Sequence, residues 1–321
     1  MPKKTFAIGI DLGGTSIKTG VVDKKGKILD QISVDSKASK GPPSVIQQMI
    51  FTIQHMFGKY KETECMGIGI GSPGVISVNE GLVKNPPNFA NWDEVSLSKA
   101  IRKATDLPIF VENDANVAAI AEANFGAGAE YKHFLYVIWG TGVGGGIIVD
   151  KKIYRGPYGG AGEIGHVSID YNGPVCNCGN HGCIEAYIGQ RYLSQRTKEI
   201  LKSQPKDMPP SKIIDFVDGN LDKIDPYIIS MAAEQDDRIA REILEEAGKL
   251  LGYALVSVLN VIDVRVVVIG GGISAAPHYV YKAMESALRS RILKPNKAAV
   301  RILRAQLGNS AGMIGAASLV M

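Results

Sequence analysis

One histidine and three of the four cysteines lie close together near the middle of the chain. They are His166, Cys176, Cys178 and Cys183, with the spacing His-x9-Cys-x-Cys-x4-Cys. One imidazole and three thiolates fill all four positions of tetrahedral Zn²⁺, which predicts a structural metal site. His181 is an alternative ligand, although it would crowd the adjacent Cys183. Free thiols and a strained Cys176–Cys178 disulfide are the other interpretations.

Three glycine-rich bends follow runs of apolar residues. They are Asp11–Thr15, Gly140–Gly144 and Gly270–Gly272. Glycine has no Cβ, so backbone N–H groups can approach phosphate oxygens at such bends. The Asp11 carboxylate, at the end of the first apolar run, is suited to hold hydrated Mg²⁺ opposite the phosphates. Tight hairpins and a turn-capping Asp11 are the alternatives, but the repetition of the bend favours phosphate binding.

Alternating strands and helices must position these segments. An order of strand, glycine bend, strand and Asp-Lys-Lys turn occurs twice, with the turns at Asp23 and Asp150, and indicates an ancient duplication. Strands are expected at 5–10, 17–22, 27–34, 65–70, 107–111, 134–139, 147–149, 264–269 and 300–303. Helices are expected at 44–57, 115–123, 236–260 and 309–320, with an interrupted helical stretch at 191–225. The sequence therefore predicts an α/β fold.

The composition excludes several classes of protein. The chain has 321 residues, 36 Lys and Arg against 32 Asp and Glu, and a net charge of +4, so we expect no nucleic-acid partner. Uncharged stretches are too short and too polar for a membrane span, and no signal peptide is evident. Few cysteines argue against a secreted disulfide scaffold. We therefore expect a cytoplasmic protein of about two domains.

The three glycine bends resemble the phosphate-1, phosphate-2 and adenosine segments of the sugar kinase, actin and heat-shock chaperone ATPase superfamily. This resemblance implies two RNase H-like (actin/hexokinase-type) domains with ATP in an interdomain cleft. The first would be residues 1–115, completed by the helix at 309–321, and the second residues 116–308 with the zinc motif. Nucleotide contacts are then expected at Asp11, Gly13, Gly14, Thr15, Thr141, Gly142, Gly271 and Gly272.

Residues 159–166 and 176–185 match the signature Gly-x-x-Gly-Glu-x-Gly-His followed by Cys-x-Cys-Gly-x-x-Gly-Cys-x-Glu. This pattern closely resembles the ROK family of repressors, uncharacterised frames and kinases. The resemblance implies that Glu163, His166 and Glu185 bind sugar hydroxyls. It also implies that Asp114 is the general base and Asn113 a sugar ligand. The alternatives are surface charge for the two glutamates and a helix N-cap for Asn113 or Asp114.

The resemblance implies an ATP- and Mg²⁺-dependent hexose kinase, with glucose phosphorylated at its 6-hydroxyl, that binds no membrane and forms a homodimer. The loop that ends in Trp92 resembles glucokinases more than fructokinases, although Trp92 is also a plausible packing residue. The alternatives are a ROK kinase for fructose, mannose or an N-acetylhexosamine, or a ROK regulator. We expect the regulator's DNA-binding head to be absent because the first strand begins at residue 5. An actin- or chaperone-like ATPase is disfavoured by the zinc and sugar motif.

Overall fold

The computed structural model describes residues 4–205 and 209–321, which form two five-stranded sheets, one three-stranded sheet and ten α-helices. Residues 1–3 of the predicted first domain and residues 206–208 of the interrupted helical stretch at 191–225 lie outside the described residues. The strands are β1 (Phe6–Leu12), β2 (Ser16–Asp23), β3 (Ile28–Asp35), β4 (Cys65–Ser72), β5 (Val75–Ser77), β6 (Leu82–Lys84), β7 (Glu94–Ser96), β8 (Ile109–Asn113), β9 (Phe134–Trp139), β10 (Val143–Val149), β11 (Lys152–Tyr154), β12 (Val266–Gly270) and β13 (Arg301–Arg304). The helices are α1 (Pro42–Phe57), α2 (Leu97–Ile101), α3 (Asp114–Phe125), α4 (Glu185–Ile188), α5 (Gln190–Lys202), α6 (Lys212–Phe216), α7 (Pro226–Glu234), α8 (Arg238–Ile262), α9 (His278–Arg291) and α10 (Ala311–Ser318).

The first sheet has the strand order β3-β2-β1-β4-β8. Strands β1, β2 and β3 form an antiparallel meander, whereas β4 pairs in parallel with both β1 and β8. Strand β3 is partly buried at alternate positions, as expected for an edge strand, whereas β1 and β4 are buried almost throughout. Because β1, β4 and β8 are parallel, their carboxyl ends place Asp11, Gly71 and Asn113 along one edge of the sheet.

The second sheet has the order β11-β10-β9-β12-β13, which repeats the order of the first. In both sheets three consecutive strands are followed by two strands that come later in the chain. The turn between β10 and β11 has positive φ at Asp150 (49°) and Lys151 (65°), which is the conformation that Asp tolerates in tight turns. The repeated order confirms the predicted α/β fold class with two related halves.

Contacts divide the chain into two compact units. The first comprises residues 1–136, 146–162 and 305–321, and the second comprises residues 137–145 and 163–304. The boundary expected after residue 115 falls inside the first unit, because α3 packs against α10 there. Glu122 of α3, which is fully buried, also accepts backbone N–H groups from Gln306 (3.0 Å) and Leu307 (2.8 Å).

Helix α10 lies directly on the first sheet because glycines line the contact. A Cβ at Gly69 would lie 1.7 Å from the carbonyl oxygen of Ala316, and one at Gly9 would lie 1.9 Å from that of Met313. No side chain larger than hydrogen fits at either position, so the two glycines fix the distance between strand and helix. Among the described residues no helix is both long and apolar enough to cross a bilayer.

Candidate active site

The first unit places Asp114 at the start of α3, immediately after the buried strand β8. Asn113 is the N-cap: its Oδ1 accepts the N–H groups of Ala115 (3.0 Å) and Asn116 (3.3 Å). Because Asn113 provides the cap, Asp114 is not needed for it. One Asp114 oxygen accepts the N–H of Ala115 at 2.8 Å, and burial raises the pKa of its carboxyl above the ordinary value. A carboxylate made more basic by burial is suited to accept a proton.

The first glycine bend is a three-residue hairpin loop, Gly13-Gly14-Thr15, in the first unit. It is closed by a hydrogen bond from the Gly13 N–H to the Ser16 carbonyl at 3.0 Å, and Thr15 is exposed. A Cβ at Gly14 would lie 3.2 Å from Cβ of Asn88, so the loop 85–92 packs beside this hairpin. The glycines therefore keep the hairpin narrow and open to a ligand.

Asp11 lies at the end of β1, next to the start of α10. A Cβ at Gly312 would lie within 2.9 Å of all three carboxyl atoms of Asp11, so only glycine leaves space for this side chain. Burial, chiefly, raises the pKa of Asp11, and the negative charge of Asp114 raises it further, against the opposite effect of Lys18. Two half-buried carboxylates that repel each other are a donor set that Mg²⁺ would stabilise.

The loop 85–92 has an unusual backbone. Asn85, Asn88 and Asn91 all have positive φ, at 43°, 69° and 54°, and Asn tolerates this region better than most residues. Trp92 is 4% exposed, and its indole donates to the Val83 carbonyl at 3.3 Å. The structure thus places Trp92 in the core of the first unit, as the packing interpretation expected.

A buried ion pair that the sequence does not reveal lies next to Asp114. Glu112 is 2% exposed, and its carboxylate accepts hydrogen bonds from Arg155 Nε (2.5 Å), Asn116 Nδ2 (3.0 Å) and the Asn113 N–H (2.9 Å). Because these bonds hold Asn113, which precedes Asp114, and Asn116, which lies two residues after it, Glu112 stabilises the start of α3. The one sequence signal for this position is a charged residue, Glu112, directly after the apolar run 107–111, and it does not identify Arg155 as the partner.

In the second unit, the predicted zinc ligands converge. The ligand atoms of His166, Cys176, Cys178 and Cys183 all lie within 4.8 Å of one another. The sulfurs of Cys178 and Cys183 are 3.7 Å apart, as are the Cys176 sulfur and His166 Nδ1. A tetrahedron with Zn–S bonds of about 2.3 Å has edges of about 3.8 Å, so the four residues fit Zn²⁺.

The alternatives to a zinc site find less support in the structure. His181 Nδ1 lies 3.2 Å from the Gly173 carbonyl oxygen and is not part of the cluster. All four cysteines are free, so no Cys176–Cys178 disulfide is present, and Cys65 is a buried thiol outside the cluster. Burial raises the pKa of the Cys183 thiol to about 12, and a metal ion would displace its proton.

Within the Cys/His cluster the His166 ring lies between the sulfurs and Glu163. His166 Nδ1 faces the sulfurs, whereas its Nε2 lies 4.0 Å from Glu163 Oε2. The Glu163 side chain is 62% exposed and is not committed to a cation such as Lys or Arg among the described residues. An exposed carboxylate beside an imidazole whose other nitrogen faces the metal site offers an acceptor and a donor to the hydroxyls of a ligand.

The other two glycine bends meet in the second unit. A Cβ at Gly140 would lie 3.7 Å from the backbone nitrogen of Gly272, and one at Gly271 would lie 2.4 Å from the Trp139 carbonyl oxygen. Gly271 also has φ of 85°, which favours glycine. Thr141 and Gly272 are exposed. The expected phosphate-2 and adenosine segments are therefore neighbours with open backbone.

Glu185, at the start of α4, lies against the loop 140–144. Its Oε2 accepts the N–H of Val143 at 2.8 Å. The structure thus brings the expected residues together in two sets. The first unit holds Asp11, Gly13, Gly14, Thr15, Asn113 and Asp114, and the second holds Thr141, Gly142, Glu163, His166, Cys176, Cys178, Cys183, Glu185, Gly271 and Gly272.

Comparison with known proteins decides the family. A model described as the ROK family matches residues 7–321. The chain belongs to the ROK family. The glucokinase of Thermotoga maritima is 33% identical over 320 residues, which cover 100% of this chain and 98% of that protein.

The relatives of this chain in the ROK family include both enzymes and transcriptional repressors. A crystal structure of a ROK family glucokinase from Streptomyces griseus, in complex with glucose and AMPPNP, superposes with a TM-score of 0.84 and 31% identity, covering 98% of each chain. The xylose repressor of Bacillus subtilis is 31% identical over 322 residues, which cover 99% of this chain and 78% of the repressor. Membership alone therefore leaves the activity to be argued from the site.

Proposed function

We propose that this protein, a sugar kinase of the ROK family, transfers the γ-phosphoryl group of ATP to the 6-hydroxyl of a hexose, with glucose as the preferred acceptor. The observation that carries the proposal is Asp114. The residue is half-buried, desolvation raises the pKa of its carboxyl, and the N-capping of α3 is left to Asn113. Since Asn113 already caps the helix, capping alone would not require a carboxyl group with a raised pKa at the next position.

In the proposed reaction Asp114 accepts the proton of the attacking hydroxyl, which is typically worth a factor of ~10²–10⁴ in rate. Asn113 presents its amide to the sugar, and Glu163, His166 and Glu185 bind further hydroxyls. Carboxylate oxygens accept from hydroxyl donors, and the His166 Nε2 is free to donate. Fixing the hydroxyl in line with the γ-phosphorus contributes as much as the base, because phosphoryl transfer depends mainly on positioning and charge stabilisation.

We assign the phosphates of ATP to the backbone of Gly13, Gly14, Thr15, Thr141 and Gly142, and the adenosine to Gly271 and Gly272. Asp11 would hold Mg²⁺, which neutralises charge on the transferring phosphate. Zn²⁺ would be held by His166 and the three cysteines, where it stabilises the fold of residues 166–183 and fixes the orientation of the His166 ring. The family resemblance further predicts a homodimer, which light scattering of the purified protein will test.

A coupled assay of ADP release tests the proposal. Glucose, fructose, mannose and N-acetylhexosamines are compared with and without Mg²⁺. We expect Mg²⁺-dependent turnover with the highest kcat/KM for glucose, and Asp114→Asn should abolish kcat while sugar binding persists. A tenfold preference for another sugar would contradict the glucose assignment. Sugar binding without turnover for any sugar would favour a regulatory role like that of the repressor relatives.

A further inference from the structure

The Glu185 carboxylate contacts the loop that we assign to phosphate binding. Its Oε2 accepts the Val143 N–H at 2.8 Å, while its Oε1 has no hydrogen-bond partner in the described part of the chain. The Val143 side chain is 4% exposed, so this bond closes the end of the loop against the core of the second unit. Binding of a sugar hydroxyl alone would not require the Glu185 carboxylate to accept a backbone N–H of this loop.

The loop is adapted to the carboxylate. A Cβ at Gly142 would lie 2.4 Å from Glu185 Oε2, which is too close for any non-glycine residue unless the glutamate moves. Gly142 has therefore two reasons to be glycine: approach to phosphate, and space for Glu185. The second reason is independent of any ligand.

The segment that follows Glu185 contacts the same loop. The Gln190 N–H donates to the carbonyls of Gly140 (3.2 Å) and Thr141 (3.1 Å), and the Trp139 indole donates to the Ile188 carbonyl at 3.0 Å. Helix α4 and the start of α5 thus hold both ends of the loop, with the Glu185 carboxylate and the Trp139 indole as the two side-chain groups among these bonds.

We propose that Glu185 is a positioning residue for the phosphate-binding loop 140–144, so that one carboxylate serves the nucleotide through Oε2 and the sugar through Oε1. This inference rests on the proposed kinase function. A sugar hydroxyl that donates to Oε1 holds the side chain in the rotamer that also holds Val143. Sugar and nucleotide therefore favour each other's binding, and by linkage the coupling is reciprocal.

Nucleotide affinity in the absence of sugar separates the two roles of Glu185. Isothermal titration calorimetry with AMPPNP and Mg²⁺ compares the wild type with Glu185→Ala and with the control Glu163→Ala. Glu163 is the other proposed sugar carboxylate and makes no bond to the loop. We expect Glu185→Ala to weaken AMPPNP binding about tenfold, since hydrogen bonds to charged groups contribute strongly. Glu163→Ala should leave AMPPNP affinity unchanged and weaken only glucose binding.

Two further variants distinguish positioning from loss of structure. Glu185→Gln keeps an oxygen that accepts the Val143 N–H, so it should restore most of the AMPPNP affinity while glucose binding stays weak. Gly142→Ala should weaken AMPPNP binding strongly in the wild type, and less in the Glu185→Ala background, where the new methyl group has space. Zinc content and circular dichroism check that every variant is folded.

The AMPPNP affinities distinguish failure of this inference from failure of the proposed function. Equal AMPPNP affinity in Glu185→Ala and Glu163→Ala would overturn the inference while the kinase function stands. Failure of the wild type to bind AMPPNP or to phosphorylate any hexose would instead overturn the proposed function.

Discussion

Replacing Arg155 by alanine should destabilise the first unit by leaving a buried charge without its partner. Glu112 is 2% exposed, whereas the Arg155 side chain is 37% exposed. Removing one partner of a buried ion pair costs about 3–5 kcal/mol. Here Glu112 keeps its hydrogen bonds from Asn116 and from the Asn113 backbone, and water can enter where Arg155 was. These effects reduce the expected loss to about 2 kcal/mol.

For a domain of 150–250 residues, a loss of about 2 kcal/mol lowers Tm by about 4–8 °C. Differential scanning fluorimetry and calorimetry measure this shift. Lys84→Ala is the matched control, because it breaks an exposed ion pair with Glu94 (2.6 Å) and should change Tm far less. Adding Glu112→Gln to Arg155→Ala should recover part of the lost stability, since the double variant buries no charge.

A Tm for Arg155→Ala equal to that of the wild type would refute the reasoning, because the carboxylate of Glu112 would then not need the guanidinium. A double variant less stable than Arg155→Ala would also refute it, because the packing of Glu112 and not its charge would then be decisive.

Four further outcomes are expected. Because only the ionised Asp114 accepts a proton, kcat/KM should fall as the pH is lowered through its raised pKa, and a profile flat down to pH 4 would contradict this. The pKa of Asp114 is higher in the folded state than in the unfolded state, so its ionised form lowers the free energy of unfolding at neutral pH, and this effect disappears in acid. The Asp114→Asn variant should therefore have a higher Tm than the wild type at pH 7, and the difference in Tm should shrink toward pH 3. Elemental analysis should find one zinc per chain, and a chelator or Cys178→Ser should lower both zinc content and Tm; a parent protein without zinc would contradict the site. Gly69→Ala should cost at least ~1–3 kcal/mol by pushing α10 off the sheet, whereas Gly160→Ala, with no atom within 4 Å of a new Cβ, should be neutral, and equal Tm values would contradict the contact.

The sequence predicted the elements that carry strong local patterns. The meander of β1, β2 and β3 was expected from apolar runs broken by Gly13-Gly14 and by the turn at Asp23, and its bounds differ from the structure by one or two residues. The zinc ligands were predicted because four soft donors at metal-binding spacing leave few other interpretations. The repeated strand order was indicated by recurrence of the same bend and turn in both halves.

Contacts between residues far apart in the chain could not be read from the sequence. The Glu112–Arg155 pair joins residues separated by 43 positions, and no local pattern connects them. The bond from Val143 to Glu185 spans 42 positions, so the sequence assigned Glu185 only a sugar contact. Likewise, the extension of the first unit to α3 depends on its packing against α10, which is a property of the folded chain.

The glycine-lined seat of α10 on the first sheet has a consequence for the order of folding. Gly9 and Gly69 meet a helix that is synthesised only after the whole segment 163–304 has emerged. The face of the first sheet that α10 covers therefore stays exposed until residues 305–321 leave the ribosome. The segment 163–304, by contrast, can collapse earlier. Such long-range closure is slow, and an apolar sheet face that stays uncovered during synthesis is prone to aggregation.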